Sequence, residues 1–327
     1  MSDGSTKVML VFPGQGAQYP GMGSDLYEAF ESVRELYDEA SSIVGYDMAE
    51  LSFADPAEQL NFTRYTQPAL LTHELACWRA LEQLTGGRLA PALAAGHSLG
   101  EYSALVAAGA LSFATGLQLV QRRGELMGEL GEGGMLATTL DLATAQEMAD
   151  RHYCGVGGCN LPDQNVIAGA EDDLQRLAVD MKERYPRKRA IPLKTEGAFH
   201  TFLMVAAARE FRPILDAADF TAPRIPVLSN YTGAAHESEP ASIKARLFFQ
   251  LFHPVRWITC MQTAMEAGVD TLVELGGGLG KGDGPAEKRP NLEGMIKKAL
   301  KSQDHDARHM SAINLDSIQA AAAEFAG

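Results

Sequence analysis

The chain has 327 residues, 46% of them hydrophobic and 21% charged, which fits one large or two ordinary globular domains and excludes wholesale disorder, collagen and coiled coil. Its 28 basic against 42 acidic residues give a formal charge of −14, opposing sequence-independent binding to a polyphosphate backbone, so nucleic acid is not an expected partner. Met1-Ser2-Asp3-Gly4-Ser5 offers no basic or apolar leader, no apolar run approaches the roughly 20 residues of a membrane span, and Cys77, Cys154, Cys159 and Cys260 form no C-x-x-C pair; a cytoplasmic protein with reduced thiols and neither metal nor disulfide is expected.

Val8 to Phe12 is an uninterrupted apolar run stopped by Pro13-Gly14-Gln15-Gly16, the pattern of a buried parallel strand delivering a tight loop. Helical spacing follows from Ser24 to about Val44 and from Gln67-Pro68 to Leu84, with Pro68 read as lying near the first turn. Leu93 to Gly100 reads as a short strand, a sharp glycine-flanked turn and the start of an Ala-rich helix. This alternation predicts an α/β core. From about Gly133 the pattern changes: strand Met135–Thr139, a helix capped by Asp141, strands Tyr153–Cys159 and Asn165–Ala168, helix Glu171–Arg184 and strand Arg189–Leu193. That βαββαβ order is the split βαβ, ferredoxin-like plan, inserted in a larger unit whose strands resume at Arg224–Ser229 and Thr271–Leu275. The tail is read as a Gly-, Lys- and Pro-rich stretch, a short helix at Asn291–Leu300, a polar link and an Ala-rich end.

Gly96-His97-Ser98-Leu99-Gly100 fits G-x-S-x-G, in which flanking glycines let a serine occupy a strained strand-to-helix turn. The N–H after the serine then faces an oxyanion, and the helix N-terminus adds positive potential. An ordinary Gly-rich turn is the competing reading. Gln15, in the loop after the first strand, could supply a second donor if both strand ends face one crevice. A serine nucleophile needs a base, and eight histidines are present; local sequence does not choose among them, although His200 lies at the exit of the inserted unit, facing a possible crevice. His305 and His309 have helical spacing but sit in a polar tail, which reads as a solvated face rather than a metal site. Gly276 to Gly282 matches neither nucleotide-loop pattern, so no nucleotide cofactor follows.

Val11-Phe12-Pro13-Gly14-Gln15-Gly16-Ala17-Gln18, Thr66-Gln67-Pro68-Ala69, Gly96-His97-Ser98-Leu99-Gly100-Glu101-Tyr102, Arg123-Gly124 and Ala198-Phe199-His200 resemble the malonyl-CoA:acyl-carrier-protein transacylases. Asn160, Val166-Ile167-Ala168-Gly169, Pro226 to Asn230, Gln250, Pro254 to Trp257 and Val273 to Gly276 follow in order, and the resemblance spans roughly residues 7–300. It implies an α/β-hydrolase-like large subdomain with a parallel sheet (1–132 and 200–327) and a ferredoxin-like small subdomain (133–199), with the active site between them.

The resemblance further implies Ser98 as nucleophile, His200 as its general base oriented by the main-chain carbonyl of Gln250, and the N–H groups of Gln15 and Leu99 as oxyanion donors. Arg123 would hold the malonyl carboxylate, since a planar guanidinium can pair it bidentately; His97, Phe199 and Asn160 are the other expected substrate-binding positions, with Phe199 matching malonyl-selective members. The expected reaction is ping-pong malonyl transfer from malonyl-CoA, a substrate rather than a cofactor, to an acyl carrier protein, for fatty-acid or trans-acting polyketide synthesis; no cofactor, membrane or nucleic acid is required, and a monomer is favoured. A proofreading acyl hydrolase and a non-catalytic docking module are the alternatives. Thr201, Gly277 and an insertion at 281–290 depart from the family pattern. Arg187, Lys188 and Arg189 read either as a solvated turn or as a basic docking route for an acidic carrier.

Overall fold

The computed structural model describes residues 6–325; the leaderless start read at Met1 to Ser5 lies outside them. Among the described residues, nine strands form two sheets. Strands β1 (Val8–Phe12), β2 (Leu93–Gly96), β3 (Gly134–Thr138), β4 (Gly155–Leu161), β5 (Gln164–Gly169), β6 (Ala190–Leu193), β7 (Val227–Leu228), β8 (Thr271–Leu275) and β9 (Arg308–Ala312) follow in chain order. The first sheet has the order β7-β2-β1-β8-β9 and is parallel throughout. The second has the order β4-β5-β3-β6 and is antiparallel.

The apolar run of β1 is explained by burial on both faces. Val8, Leu10 and Phe12 join the core that contains the helix Thr63–Thr85, whereas Met9 and Val11 join a second core with Trp257, Met261 and Ile296 from helices Trp257–Glu266 and Glu293–Ser302. A strand whose two alternating side-chain rows are both covered shows no polar alternation. In the second sheet Leu136, Val156 and Ile167 pack under helices Leu142–Arg151 and Glu171–Arg184, and Asp141 caps the first by accepting the Thr144 N–H at 2.9 Å. The other face carries Met135 and Val166, which line a cleft against the parallel sheet. The sheets are tied where Cys159 N–H donates to the Val255 carbonyl at 2.8 Å and Val255 N–H to that of Gly157 at 3.1 Å.

Several expectations are corrected. The helix expected from Ser24 to Val44 is two helices, Ser24–Ala29 and Glu31–Val44, parted by Phe30 in extended conformation. Pro68 sits inside the helix Thr63–Thr85, at its sixth residue rather than its first turn. The strand expected at Arg224–Ser229 is reduced to β7, since Arg224 N–H turns away to the Ala108 carbonyl and Pro226 has no N–H to give. The polar link is β9, and its His309 donates to the Glu274 carboxylate at 2.8 Å with its side chain 3% exposed; His305 contacts the Val269 carbonyl at 2.7 Å. Neither histidine forms a solvated helical face. The 281–290 segment packs back on the body, with Lys288 Nζ 4.7 Å from the centre of the Tyr19 ring.

Candidate active site

Adjacent parallel strands β1 and β2 end together, Phe12 opposite Gly96, so the loop after each opens into the same crevice at the carboxyl edge of the sheet. Ser98 follows β2 with φ +55° and precedes the helix Gly100–Ala107. A non-glycine residue in this region is strained by about 1–3 kcal/mol and persists only where its surroundings hold it. They do so here. A Cβ on Gly96 would stand 1.9 Å from the Gly100 carbonyl carbon, and one on Gly100 would stand 2.3 Å from the Phe12 carbonyl oxygen. The Asn230 side chain closes the turn, accepting the Ser98 N–H at 2.6 Å and donating to the Gly96 carbonyl at 2.8 Å.

Ser98 Oγ lies 2.7 Å from His200 Nε2, and His200 Nδ1 lies 2.7 Å from the Gln250 main-chain oxygen. A carbonyl only accepts, so Nδ1 carries the proton and Nε2 presents its lone pair to the serine hydroxyl. Burial, then the neighbouring Arg123 charge, lower His200 from its ordinary 6.5 to about 3, against the Gln250 hydrogen bond that favours protonation. The imidazole is therefore neutral at pH 7 and available as a base. His200 is also left-handed, at φ +63°. Among the described residues, the main-chain N–H groups of Gln15 and Leu99 make no hydrogen bond, as donors reserved for a developing oxyanion would be.

Arg123, from the helix Phe113–Glu129, is 1% exposed. It donates to the Gln67 Oε1 at 2.8 Å, the Gln250 Oε1 at 2.9 Å and Ser98 Oγ at 3.1 Å. All three partners are neutral, Arg123 Nε has no partner, and among the described residues no carboxylate comes within the 4.0 Å of an ion pair. A buried guanidinium with no directly paired carboxylate is costly; Glu101, one Gln250 amide away, favours its charge only through space, so an anionic group beside the serine could pair with it directly.

The cleft above these residues has a volume of about 580 Å³ and is reached by Gln15, His97, Ser98, Asn160 and His200 among the expected positions. His97 Nε2 and Asn160 Oδ1 are 3.0 Å apart, and burial lowers the His97 imidazole, so it too is uncharged and donates to the amide oxygen. Phe199, by contrast, is 5% exposed in the main core and is not part of the cleft wall. Arg187, Lys188 and Arg189 are exposed before β6, whose other end, Leu193 with Lys194, is at the cleft; four residues at roughly 3.3 Å each separate them. Lys194, Gln18 and Asn61 form part of the rim, with Gln18 donating to Asn61 at 2.9 Å. Sequence reasoning assigned no site role to these three, nor to Gln67, Glu101 and Asn230. For Glu101 a signal existed: an acid three residues after the elbow serine falls one helical turn below it.

The class of protein follows from this fold and site. The chain belongs to the acyl transferase domain family, which it matches over residues 9–276. It is 39% identical over 282 residues to the malonyl CoA-acyl carrier protein transacylase of Bacillus subtilis, covering 84% of this chain and 87% of the relative. The acyl carrier protein S-malonyltransferase of Vibrio cholerae superposes with a TM-score of 0.86 at 36% identity, covering 97% of this chain and all (100%) of that one. A malonyl-transacylase solved in complex with its type II polyketide-synthase acyl-carrier protein superposes at 0.87 with 33% identity, covering 98% and 100% of the two chains. The mixed α/β fold with one parallel and one antiparallel sheet is that of these structures, and the protein is an acyltransferase.

Proposed function

We propose that this enzyme transfers a malonyl group from malonyl-CoA to the phosphopantetheine thiol of an acyl carrier protein, serving fatty-acid or polyketide synthesis. The observation that carries the reading is the buried Arg123 guanidinium, with no directly paired carboxylate among the described residues, 3.1 Å from Ser98 Oγ. A malonyl carboxylate would supply the missing charge, whereas an acetyl group would leave it unpaired. Ser98 Oγ attacks the thioester carbon as His200 Nε2 takes its proton, and the oxyanion is held by the N–H groups of Gln15 and Leu99. Collapse expels the CoA thiolate, which recovers the proton from His200 and leaves a malonyl-serine ester. The carrier thiol repeats the sequence in reverse, its proton passing through His200 to Ser98, so the kinetics are ping-pong.

The finer architecture belongs to the same proposal. Residues 133–199 form a ferredoxin-like small subdomain, supported by strand β5 lying antiparallel between β3 and β4. The described residues of the 1–132 and 200–327 segments form an α/β-hydrolase-like large subdomain, supported by the parallel sheet and the serine elbow after β2. His97 and Asn160 face the acyl group. Phe199 acts on malonyl selectivity from behind the wall, through the backbone it shares with His200. All reacting groups of this scheme come from one chain, which supports a monomer; the scheme calls on no cofactor, and a cytoplasmic location is part of the same proposal. Among the described residues no helix is long and apolar enough to cross a membrane.

The test is intact-protein mass spectrometry after brief exposure to equimolar malonyl-, methylmalonyl- and acetyl-CoA, with carrier protein then added. A malonyl adduct absent from Ser98→Ala that moves to the carrier is expected. An adduct lost to water equally fast with or without carrier would instead identify an acyl hydrolase, and no adduct at all a docking module.

A further inference from the structure

Beneath the serine elbow lies a fully buried carboxylate that the transfer scheme does not use. Glu101, in the first turn of the helix Gly100–Ala107, is 0% exposed. Its Oε2 accepts the Asn230 N–H at 3.0 Å and the Gln250 Nε2 at 2.9 Å, and its Oε1 lies 2.7 Å from His236 Nε2. The Asn230 N–H and the Gln250 Nε2 only donate, and His236 donates with its proton on Nε2, so the acceptor-only chemistry of a carboxylate suits the position.

Each partner of Glu101 leads to the site. Asn230, held through its backbone, fixes the Ser98 N–H and the Gly96 carbonyl through its side chain. Gln250 uses the amide that Glu101 orients to donate to the Ser98 carbonyl at 2.8 Å and to present Oε1 to Arg123 at 2.9 Å, while its main-chain oxygen orients His200. Because the two ends of an amide differ, a donor-demanding partner at Nε2 decides that Oε1 faces the guanidinium; a reversed amide would aim NH₂ at Arg123. One carboxylate is thus one hydrogen bond removed from the nucleophile's turn, and its Gln250 partner touches the arginine directly and holds the base.

We propose that Glu101 is the positioning residue of this site, setting the Gln250 amide and the Asn230 clamp so that Ser98, His200 and Arg123 are held in register, with His236 holding Glu101 from below. The proposal rests on the reading of Ser98 as the acylated nucleophile. It goes beyond that reading in predicting that acyl selectivity, not only rate, is controlled by a residue that touches no substrate.

Glu101→Gln tests it, because the isosteric amide must turn its NH₂ toward His236 or toward the Asn230 and Gln250 donors. Misplacement of reacting groups by about an ångström costs on the order of 100-fold, so acylation by malonyl-CoA should fall to that extent. The malonyl-to-acetyl preference should narrow as Arg123 loses its aim, and the acid limb of the pH profile should move as His200 loosens. His236→Gln, which keeps a donor toward Glu101, should retain most activity; His236→Leu should narrow the preference in the same sense as Glu101→Gln. If Glu101→Gln does not fold, this histidine pair carries the test alone. Glu101→Gln acylating within twofold of wild type, or a folded variant losing rate with unchanged acyl preference and pH profile, would overturn the proposal, as would a His236 pair with indistinguishable preferences. Ser98→Ala run in parallel separates the two readings: an adduct persisting there removes the nucleophile assignment itself.

Discussion

Arg123 Nη2 donates to Ser98 Oγ at 3.1 Å, so the guanidinium proposed to receive the acyl carboxylate touches the hydroxyl proposed to carry the acyl group. Recognition and reaction therefore share one side chain. Two charge-assisted bonds to a carboxylate contribute roughly 1.5–3 kcal/mol each, and Arg123→Ala should lower kcat/KM for malonyl-CoA by about 10²–10⁴-fold. The loss for acetyl-CoA should be smaller, and Arg123→Lys should recover only part of the malonyl rate, since an ammonium lacks the planar fork. Competition kinetics with both thioesters measure this; equal losses would make Arg123 a purely structural residue.

The histidines set an expected response to acid. His200 at about 3 and His73 at about 4 both lie below their ordinary 6.5, burial being the first cause in each. Below about pH 6.5 the unfolded chain takes up protons that the folded chain refuses, so stability present at neutral pH is lost as pH falls toward those folded values. The loss approaches about 1.4 kcal/mol per pH unit for each group. Denaturant unfolding between pH 7.5 and 5 should show a declining free energy, with a shallower slope in His73→Phe.

Over the range where the protein remains folded, kcat/KM for acylation should keep its full value below pH 6, because the free enzyme's base is already neutral there. In the malonyl complex the acyl carboxylate offsets the Arg123 charge that helps depress His200. The acid limb of kcat should therefore stand at higher pH than that of kcat/KM. Coincident limbs near 6.5 would show that the imidazole is solvated.

The elbow admits no side chain at its glycines. Gly100→Ala places a Cβ 2.3 Å from the Phe12 carbonyl oxygen, a backbone atom of the neighbouring strand. Overpacking of this kind costs about 1–3 kcal/mol, and the displacement falls on Ser98 and the oxyanion loop together. Unfolding measurements should show a loss of that size, accompanied by an acylation defect at least as large as that of Glu101→Gln. Near-normal acylation in Gly100→Ala would show that the turn is compliant.

At the surface, Lys194 belongs to the cleft rim whereas Arg187, Lys188 and Arg189 lie at the far end of β6. Lys194→Glu should raise KM for both malonyl-CoA and the carrier, because either phosphopantetheine arm must pass the rim. Reversing the three charges of 187–189 should raise the carrier KM alone and weaken its salt dependence. Steady-state kinetics at two ionic strengths separate them, and a triple reversal with unaltered carrier KM would leave that segment as a solvated turn.

Much of the fold was legible because the chain signals it locally. Two-sided burial of β1 shows as an unbroken apolar run, whereas β8, buried along its whole length, carries Thr271 and Glu274 within it; the βαββαβ segment shows as alternating periods with Asp141 at a helix start. Less legible was β9, whose Arg308-His309-Met310-Ser311-Ala312 sequence becomes a strand only because β8 offers it a parallel edge and Glu274 a partner for His309. Pro68 likewise lies mid-helix because the buried packing of Thr63–Thr85 overrides the local preference for a start.

For the site, the glycine-flanked turn and the residue types able to perform acyl transfer can be read from the amino-acid sequence, since both are properties of a few adjacent residues. The residues alone left eight histidines open and only the resemblance named His200; the tertiary structure supplies the reason, bringing its Nε2 to 2.7 Å from Ser98 Oγ and burying Arg123 among neutral direct partners. It alone ties Glu101, Asn230 and Gln250 together across separations of 129 and 149 residues. Hydrogen bonds between groups so distant in the chain leave no periodicity or spacing to read; they exist only once the helices Gly100–Ala107 and Pro240–Gln250 and the turn after β7 have packed together and excluded water.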